Sequence, residues 1–89
     1  MSTVNVSPAS VLADIRGFVV ANFLFGEGGS LQDDDSFLET GIVDSTGILE
    51  LVGYVGKQFN ITVDDQELVP DNFDSVNRVA DYVCRKLRK

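Results

Sequence analysis

The side chain best placed to do chemistry is Ser45, in the run Gly41-Ile42-Val43-Asp44-Ser45-Thr46, where a hydroxyl falls at the predicted start of an amphipathic helix. A serine nucleophile of the hydrolytic kind needs a base and a group to orient it, and the chain has no histidine. Neither a G-x-S-x-G elbow nor an S-x-x-K pair surrounds it, since Val43-Asp44 precede it and Ile48 follows three residues on. What remains is a hydroxyl that is either a substrate for another enzyme or part of an ordinary helix start, since serine and aspartate are common caps. The N–H groups and positive dipole end of a helix start would favour an anionic group such as a phosphodiester on that oxygen. The neighbouring Asp44 opposes part of this field, so its value lies in capping or in partner recognition.

Two other chemistries are weaker. Asp33, Asp35 and Asp44 occupy positions one, three and twelve of a hypothetical calcium loop, but Phe37 and Leu38 would fill positions five and six, and position twelve is not glutamate. These acids read better as a solvated, partner-facing surface. Cys84 is the one cysteine, with no base near it in sequence, and reads as a small, mostly buried side chain. One cysteine and no histidine also exclude an internal disulfide and ordinary nitrogen-and-sulfur zinc sites.

The elements that must position Ser45 follow from apolar spacing. Ser7-Pro8 is a helix-start signal, and Val11, Leu12, Ile15, Phe18, Val19 and Phe23 share one face of a first helix running from about Pro8 to about Leu24. Arg16, Gly17 and Val20 turn largely away from it. Gly26 and Gly28-Gly29 end this helix, and a long loop follows to Val43, pinned by Leu31, Phe37, Leu38 and Ile42. A second helix is expected over Ser45–Phe59 with Asp44 as cap, burying Ile48, Leu51, Val52, Val55 and Phe59. Thr46, Leu49, Glu50, Gly53 and Lys57 lie on its other side. Glycines at 47, 53 and 56 each cost about 1 kcal/mol of helix propensity relative to alanine. At Gly53 and Gly56, either the packed helix tolerates them or they admit close approach of a partner.

A short third helix is expected near Asp64 to Leu68, stopped by Pro70, and a final helix from Asp74 or Ser75 towards Arg88, with Val76, Val79, Ala80, Val83 and Leu87 inward. Ile61-Thr62-Val63 has strand propensity but no second run to pair with. The expected fold is all-α: a four-helix bundle with three long helices and one short, and a long loop between the first two. Eighty-nine residues fit one domain, read as 1–89 with residues 1–7 and 88–89 disordered.

The capped first helix, the loop ending in Gly41-Ile42-Val43-Asp44-Ser45, the second helix closing on Phe59-Asn60-Ile61 and a last helix containing Val79-Ala80-Asp81-Tyr82-Val83 together resemble the acyl carrier proteins over nearly the whole chain. The resemblance implies a non-catalytic protein in which a phosphopantetheinyl transferase moves 4′-phosphopantetheine from coenzyme A to Ser45. Cargo then rides as a thioester on the arm's thiol, not on Cys84. Asp44, Thr46, Leu49, Glu50 and Gly53 become the expected partner-recognition residues. Thr46 stands where fatty-acid carriers commonly have leucine, and Gly53, Gly56 and Lys57 leave the helix poorer in large apolar and acidic contacts. The chain therefore resembles a specialised stand-alone carrier of a fatty-acid-like, modified-lipid or secondary-metabolite pathway. Its implied partners are an acyl- or aminoacyl-loading ligase and a downstream acyltransferase or ketosynthase. Two readings stand beside it: an aminoacyl or peptidyl carrier loaded by an adenylate-forming ligase, and a helical interaction module without a prosthetic group, in which Ser45 merely caps the second helix.

Charge narrows the partners. Residues 1–77 hold thirteen acids against Arg16 and Lys57, whereas residues 78–89 hold five bases against Asp81. An acidic body repels phosphate backbones, so nucleic acid is not an expected partner, and the terminal cations suit the end of a helix dipole. Residues 1–10 lack a basic region and no apolar run approaches membrane-span length, which gives the expectation of a cytoplasmic protein without a membrane span. A monomer is expected, with outward Leu24 and Leu49 the sites of any weak self-association. Because Asp33, Asp34 and Asp35 repel one another and added ions screen that repulsion, Tm should rise from low to moderate salt. Calorimetry checks this, and a flat or falling Tm is the contrary result.

Overall fold

The computed structural model describes residues 7–24 and 31–88. Gly26, Gly28 and Gly29, and the chain ends 1–6 and 89 expected to be disordered, lie outside the described residues. Helix α1 spans Pro8–Phe23, and Ser7 caps it by accepting from the Ser10 amide at 3.2 Å. Its stripe of Val11, Ile15 and Val19 is fully buried, with Leu12, Phe18 and Phe23 packed at the edge of the core. Arg16 does not simply point outward: it is half-buried and pairs with Asp33 at 2.9 Å, fastening the start of the following segment.

That segment is more structured than a pinned loop. It contains a single helical turn, α2 (Phe37–Thr40), with Ser36 as cap and Gly41 closing it in the left-handed region at φ 75°. Leu31, Phe37 and Val43 are buried as pins, but Leu38 is not a pin and stays 53% exposed. On this turn Phe37 takes the inward position and Leu38, next to it, turns towards solvent.

Helix α3 spans Ser45–Phe59 with Asp44 as cap, the boundaries the sequence predicts. Leu51 and Val55 are fully buried, and Ile48, Val52 and Phe59 flank them. Tyr54 stacks on Phe18 of α1, ring centroids 4.2 Å apart, and donates to the Asp14 carbonyl at 3.2 Å. The glycines of α3 divide by surroundings. A Cβ at Gly47 would lie 2.8 Å from Val43 Cγ1 and 2.9 Å from Phe23 Cε1, so this position admits no side chain without displacing buried groups. Around Gly53 nothing lies within 4 Å, so no packing within this chain requires it. At Gly56 the nearest atom is the Ile61 carbonyl, at 3.4 Å.

The expected short third helix is a 3-10 turn over Asp65–Glu67. Pro70 does not merely stop it: proline at the first helical position opens a further turn, α4 (Pro70–Phe73), which buries Phe73. Helix α5 runs over Val76–Leu87 from its cap Ser75, and its pairing with α1 is the most extensive in the fold. Val76, Val79, Ala80 and Val83 are buried as expected; Leu87, placed inward by spacing, is 37% exposed near the helix end, and Tyr82 joins the core in addition. The described residues are all helical or irregular, with three long helices and three single turns.

Tyr82 is buried because its hydroxyl has a partner. It donates to Glu67 Oε1 at 2.7 Å, an oxygen that also accepts from the Asp64 amide at 3.1 Å and from Lys86 Nζ at 3.0 Å. These three donors, the tyrosine first, hold the Glu67 carboxyl down to about 2, while burial and the Glu67 charge push the Tyr82 phenol up. The link fastens the α3–α5 connection to α5.

Gly47→Ala should destabilise the protein by about 1–3 kcal/mol through overpacking, whereas Gly53→Ala should stabilise it by about 0.5–1 kcal/mol, both read by denaturant unfolding. Since the folded Glu67 value of about 2 lies below its unfolded 4.5, the carboxylate's stabilisation is complete above pH 4.5 and lost as pH falls towards 2. Glu67→Gln should flatten the pH dependence of unfolding across that window; identical profiles for the two proteins would contradict the link.

Candidate functional site

The entrance of α3 is built by a division of labour between two adjacent residues. Asp44 sits in extended backbone and its Oδ1 accepts from the Gly47 amide at 2.8 Å, while its carbonyl accepts from the Ile48 amide at 2.9 Å. The capping function is therefore taken by Asp44. The reading in which Ser45 merely caps the helix is corrected by this geometry: Ser45 is the first residue of the helix proper. Caps elsewhere show the contrast. Ser7, Ser36 and Ser75 each accept the amide three residues on, whereas the Ser45 hydroxyl makes no hydrogen bond among the described residues. It is exposed, and the amides of Ser45 and Thr46, in the first turn, have no intrahelical acceptor. A hydroxyl so placed is chemically available, and a phosphoryl group on it would meet unpaired N–H donors.

Beside Ser45 opens a cleft of about 260 Å³, lined by Leu38, Ser45, Ile48, Leu49, Leu68, Val69, Pro70, Phe73 and Asp74. Its walls come from α2, the first turns of α3, and the α4 segment. Among the described residues, the large apolar side chains left exposed are Leu38, Leu49, Val69 and Leu87, and the first three all belong to this cleft. Apolar surface concentrated around one hydroxyl marks a site for a ligand or a partner.

Of the residues singled out from sequence, the structure exposes Asp44, Ser45, Thr46, Leu49, Glu50 and Gly53 on the outward side of α3 and its entrance. Ser45 and Leu49 meet at the cleft; Thr46, Glu50 and Gly53 do not line it. Sequence reasoning missed Leu38, Val69, Phe73 and Asp74. The signals available were the apolar Phe37-Leu38 pair and the apolar Leu68-Val69 before Pro70.

The other candidate chemistries have other employment. Asp33 pairs with Arg16, and Asp35 accepts from the Gln32 amide at 2.9 Å, so with Asp44 capping α3 the three acids of the calcium-loop reading are engaged separately. Cys84 is half-buried and lines a different groove, against Pro8 and Leu12 of α1. No helix among the described residues is long and apolar enough to cross a membrane.

Comparison with known proteins gives the family. The family model described as "Phosphopantetheine attachment site" matches residues 24–83. The chain is 31% identical over 67 residues to the "Probable acyl carrier protein PigG" of Serratia sp. (strain ATCC 39006), covering 75% of this chain and 77% of that one. It is 35% identical over 60 residues to the D-alanyl carrier protein of Leuconostoc citreum (strain KM20), covering 67% and 77%. To the D-alanyl carrier protein of Streptococcus suis (strain 98HAH33) it is 34% identical over 60 residues, covering 67% and 76%. An open hydroxyl at a helix entrance, unpaired first-turn amides and an adjoining apolar cleft fit the prosthetic group of that family. The chain belongs to the phosphopantetheine-attachment family of carrier proteins, and its cofactor is a covalently attached 4′-phosphopantetheine.

Proposed function

We propose that this chain is a non-catalytic acyl carrier whose 4′-phosphopantetheine arm is attached to Ser45, one carrier domain spanning residues 1–89. The observation that carries the site is the pairing at the α3 entrance: Asp44 supplies the cap, and Ser45, one residue on, keeps an exposed hydroxyl without a hydrogen-bond partner among the described residues. A phosphopantetheinyl transferase uses that oxygen as the acceptor. Bound there, the group supplies a terminal thiol that holds cargo as a thioester between enzymes. The chain's own residues present the serine, meet the phosphate with first-turn amides, and offer the cleft of Leu38, Ile48, Leu68 and Phe73 to apolar groups.

The apolar lining favours an acyl cargo from a fatty-acid-like, modified-lipid or secondary-metabolite pathway, since an aliphatic chain leaves water there whereas an ammonium group would lose solvation. A second reading has its own support: two of the relatives compared are D-alanyl carrier proteins, which favours an aminoacyl group loaded by an adenylate-forming ligase. Asp44, Thr46, Leu49, Glu50 and Gly53 are proposed as the surface read by the transferase, the loading ligase and a downstream acyltransferase or ketosynthase. The net charge of −7 suits basic protein partners rather than nucleic acid, and a cytoplasmic monomer suits such hand-offs.

Treatment with coenzyme A and a broad transferase should add the mass of one phosphopantetheine to the wild-type chain and nothing to Ser45→Ala. An unchanged wild-type mass beside an active control contradicts the reading, and a gain surviving the substitution moves the site. Offering the modified protein ligases with pools of fatty and amino acids, then weighing the thioester, separates acyl from aminoacyl cargo.

A further inference from the structure

The turn α2 owes its position to one residue far away in sequence. A helix of four residues has almost no internal bonding, so its first amides need outside acceptors. Glu39 N–H finds the Ser36 hydroxyl at 3.1 Å, in the usual manner of a cap. The other two go to Asp74: Phe37 N–H donates to its carbonyl at 2.7 Å and Leu38 N–H to its Oδ1 at 3.0 Å. The Ser36 hydroxyl in turn donates to Asp74 Oδ2. Asp74 thus caps α2 from the junction of α4 and α5, 36 residues beyond Leu38.

This fastening spans the cleft beside Ser45. Leu38 stands on one wall; Val69 and Phe73 stand on the α4 segment that Asp74 closes; Asp74 lines the cleft itself. Leu38, Leu49 and Val69 form an exposed apolar surface around Ser45, and Glu39, Asp44 and Glu50, next in sequence to Leu38, Ser45 and Leu49, are exposed acids. An enzyme that acts on Ser45 must therefore offer an apolar contact rimmed by basic side chains, and it must meet Leu38 and Val69 at a fixed separation.

We propose that Asp74 is a positioning residue for the carrier's partner enzymes: by capping α2 across the cleft it holds Leu38 in register with Leu49 and Val69, and so sets the docking surface around Ser45. This rests on the reading of Ser45 as the modified residue. Without the carboxylate, α2 loses two of its three bonds to Asp74, Leu38 is released, and a partner must order the turn as it docks. The cost falls on binding and not on the chemistry at the serine.

The test is transferase kinetics on the full apo chain with coenzyme A, alongside the NMR resonance of the Leu38 amide, which its bond to a carboxylate shifts downfield. Asp74→Ala should raise KM for the carrier about tenfold, keep kcat within about twofold, and move the Leu38 amide upfield. Asp74→Asn, which keeps an acceptor for that amide, should recover most of both. Ser36→Ala, which cuts both the bond to Asp74 Oδ2 and the cap on the Glu39 amide but leaves the Leu38 amide capped, should raise KM about threefold. An unchanged KM in Asp74→Ala with its long helices intact overturns the proposal, as does Asp74→Asn being no better than alanine. Should Asp74→Ala unfold, Ser36→Ala decides, and an unchanged KM there overturns it. A wild-type chain that the transferase never modifies refutes the Ser45 reading instead. The Leu38 amide then decides the clamp: a shift lost in alanine and restored in asparagine supports it, and a shift indifferent to both overturns it.

Discussion

The hydrogen bond from the Gly47 amide to Asp44 Oδ1 is the constraint on which the site depends. It fixes where α3 begins, and it can form only because position 47 has no side chain between Val43 and Phe23. Val43 is thereby buried under the helix entrance and the incoming chain is held against α1. With Asp44 serving as cap, the next residue is relieved of that task. A serine at the cap would have spent its oxygen on the backbone, as Ser7, Ser36 and Ser75 do. One residue further on, the hydroxyl is free to accept a group while still standing beside the open amides of the first turn.

Around this entrance the fold separates a base of packed long helices from a mouth built of single turns. The base is the packing of α1 against α5 and α3, where Val11, Ile15, Val19, Leu51, Val55, Val76, Val79 and Val83 are fully buried. The mouth is made of two single turns, α2 and α4, each too short to be stable alone. Long-range polar bonds hold them: Asp74 for α2, and the Glu67 link to Tyr82 and Lys86 for the connection leading into α4. Apolar burial specifies the bundle, and charge-assisted hydrogen bonds specify the shape of the cleft.

That division explains what could be read from the sequence. The three long helices were legible because their apolar residues recur at helical spacing over three or four turns, and the Asp44 cap and the α3 boundaries follow from local rules. The turns α2 and α4 were not, because four residues carry no period and their existence depends on partners tens of residues away. Leu38 was misplaced for the same reason: an apolar residue in a loop reads as a pin until the helical turn that points it outward is known. Leu87 reads as inward and Tyr82 goes unread, since spacing alone cannot tell that Glu67 waits for a buried hydroxyl or that Leu87 lies exposed at the helix end. Gly47 was counted as a cost of helix propensity when its contacts make it a requirement. The family was legible from residue types; the cleft beside Ser45 arises from three separated segments and was not.

Fragment-ion mapping of the chain after transferase treatment tests the central claim most directly, because it asks which hydroxyl was free. The added phosphopantetheine should lie on Ser45 alone, with the capping serines Ser7, Ser36 and Ser75 unmodified. The added mass on any of those three, or on another residue, would contradict it.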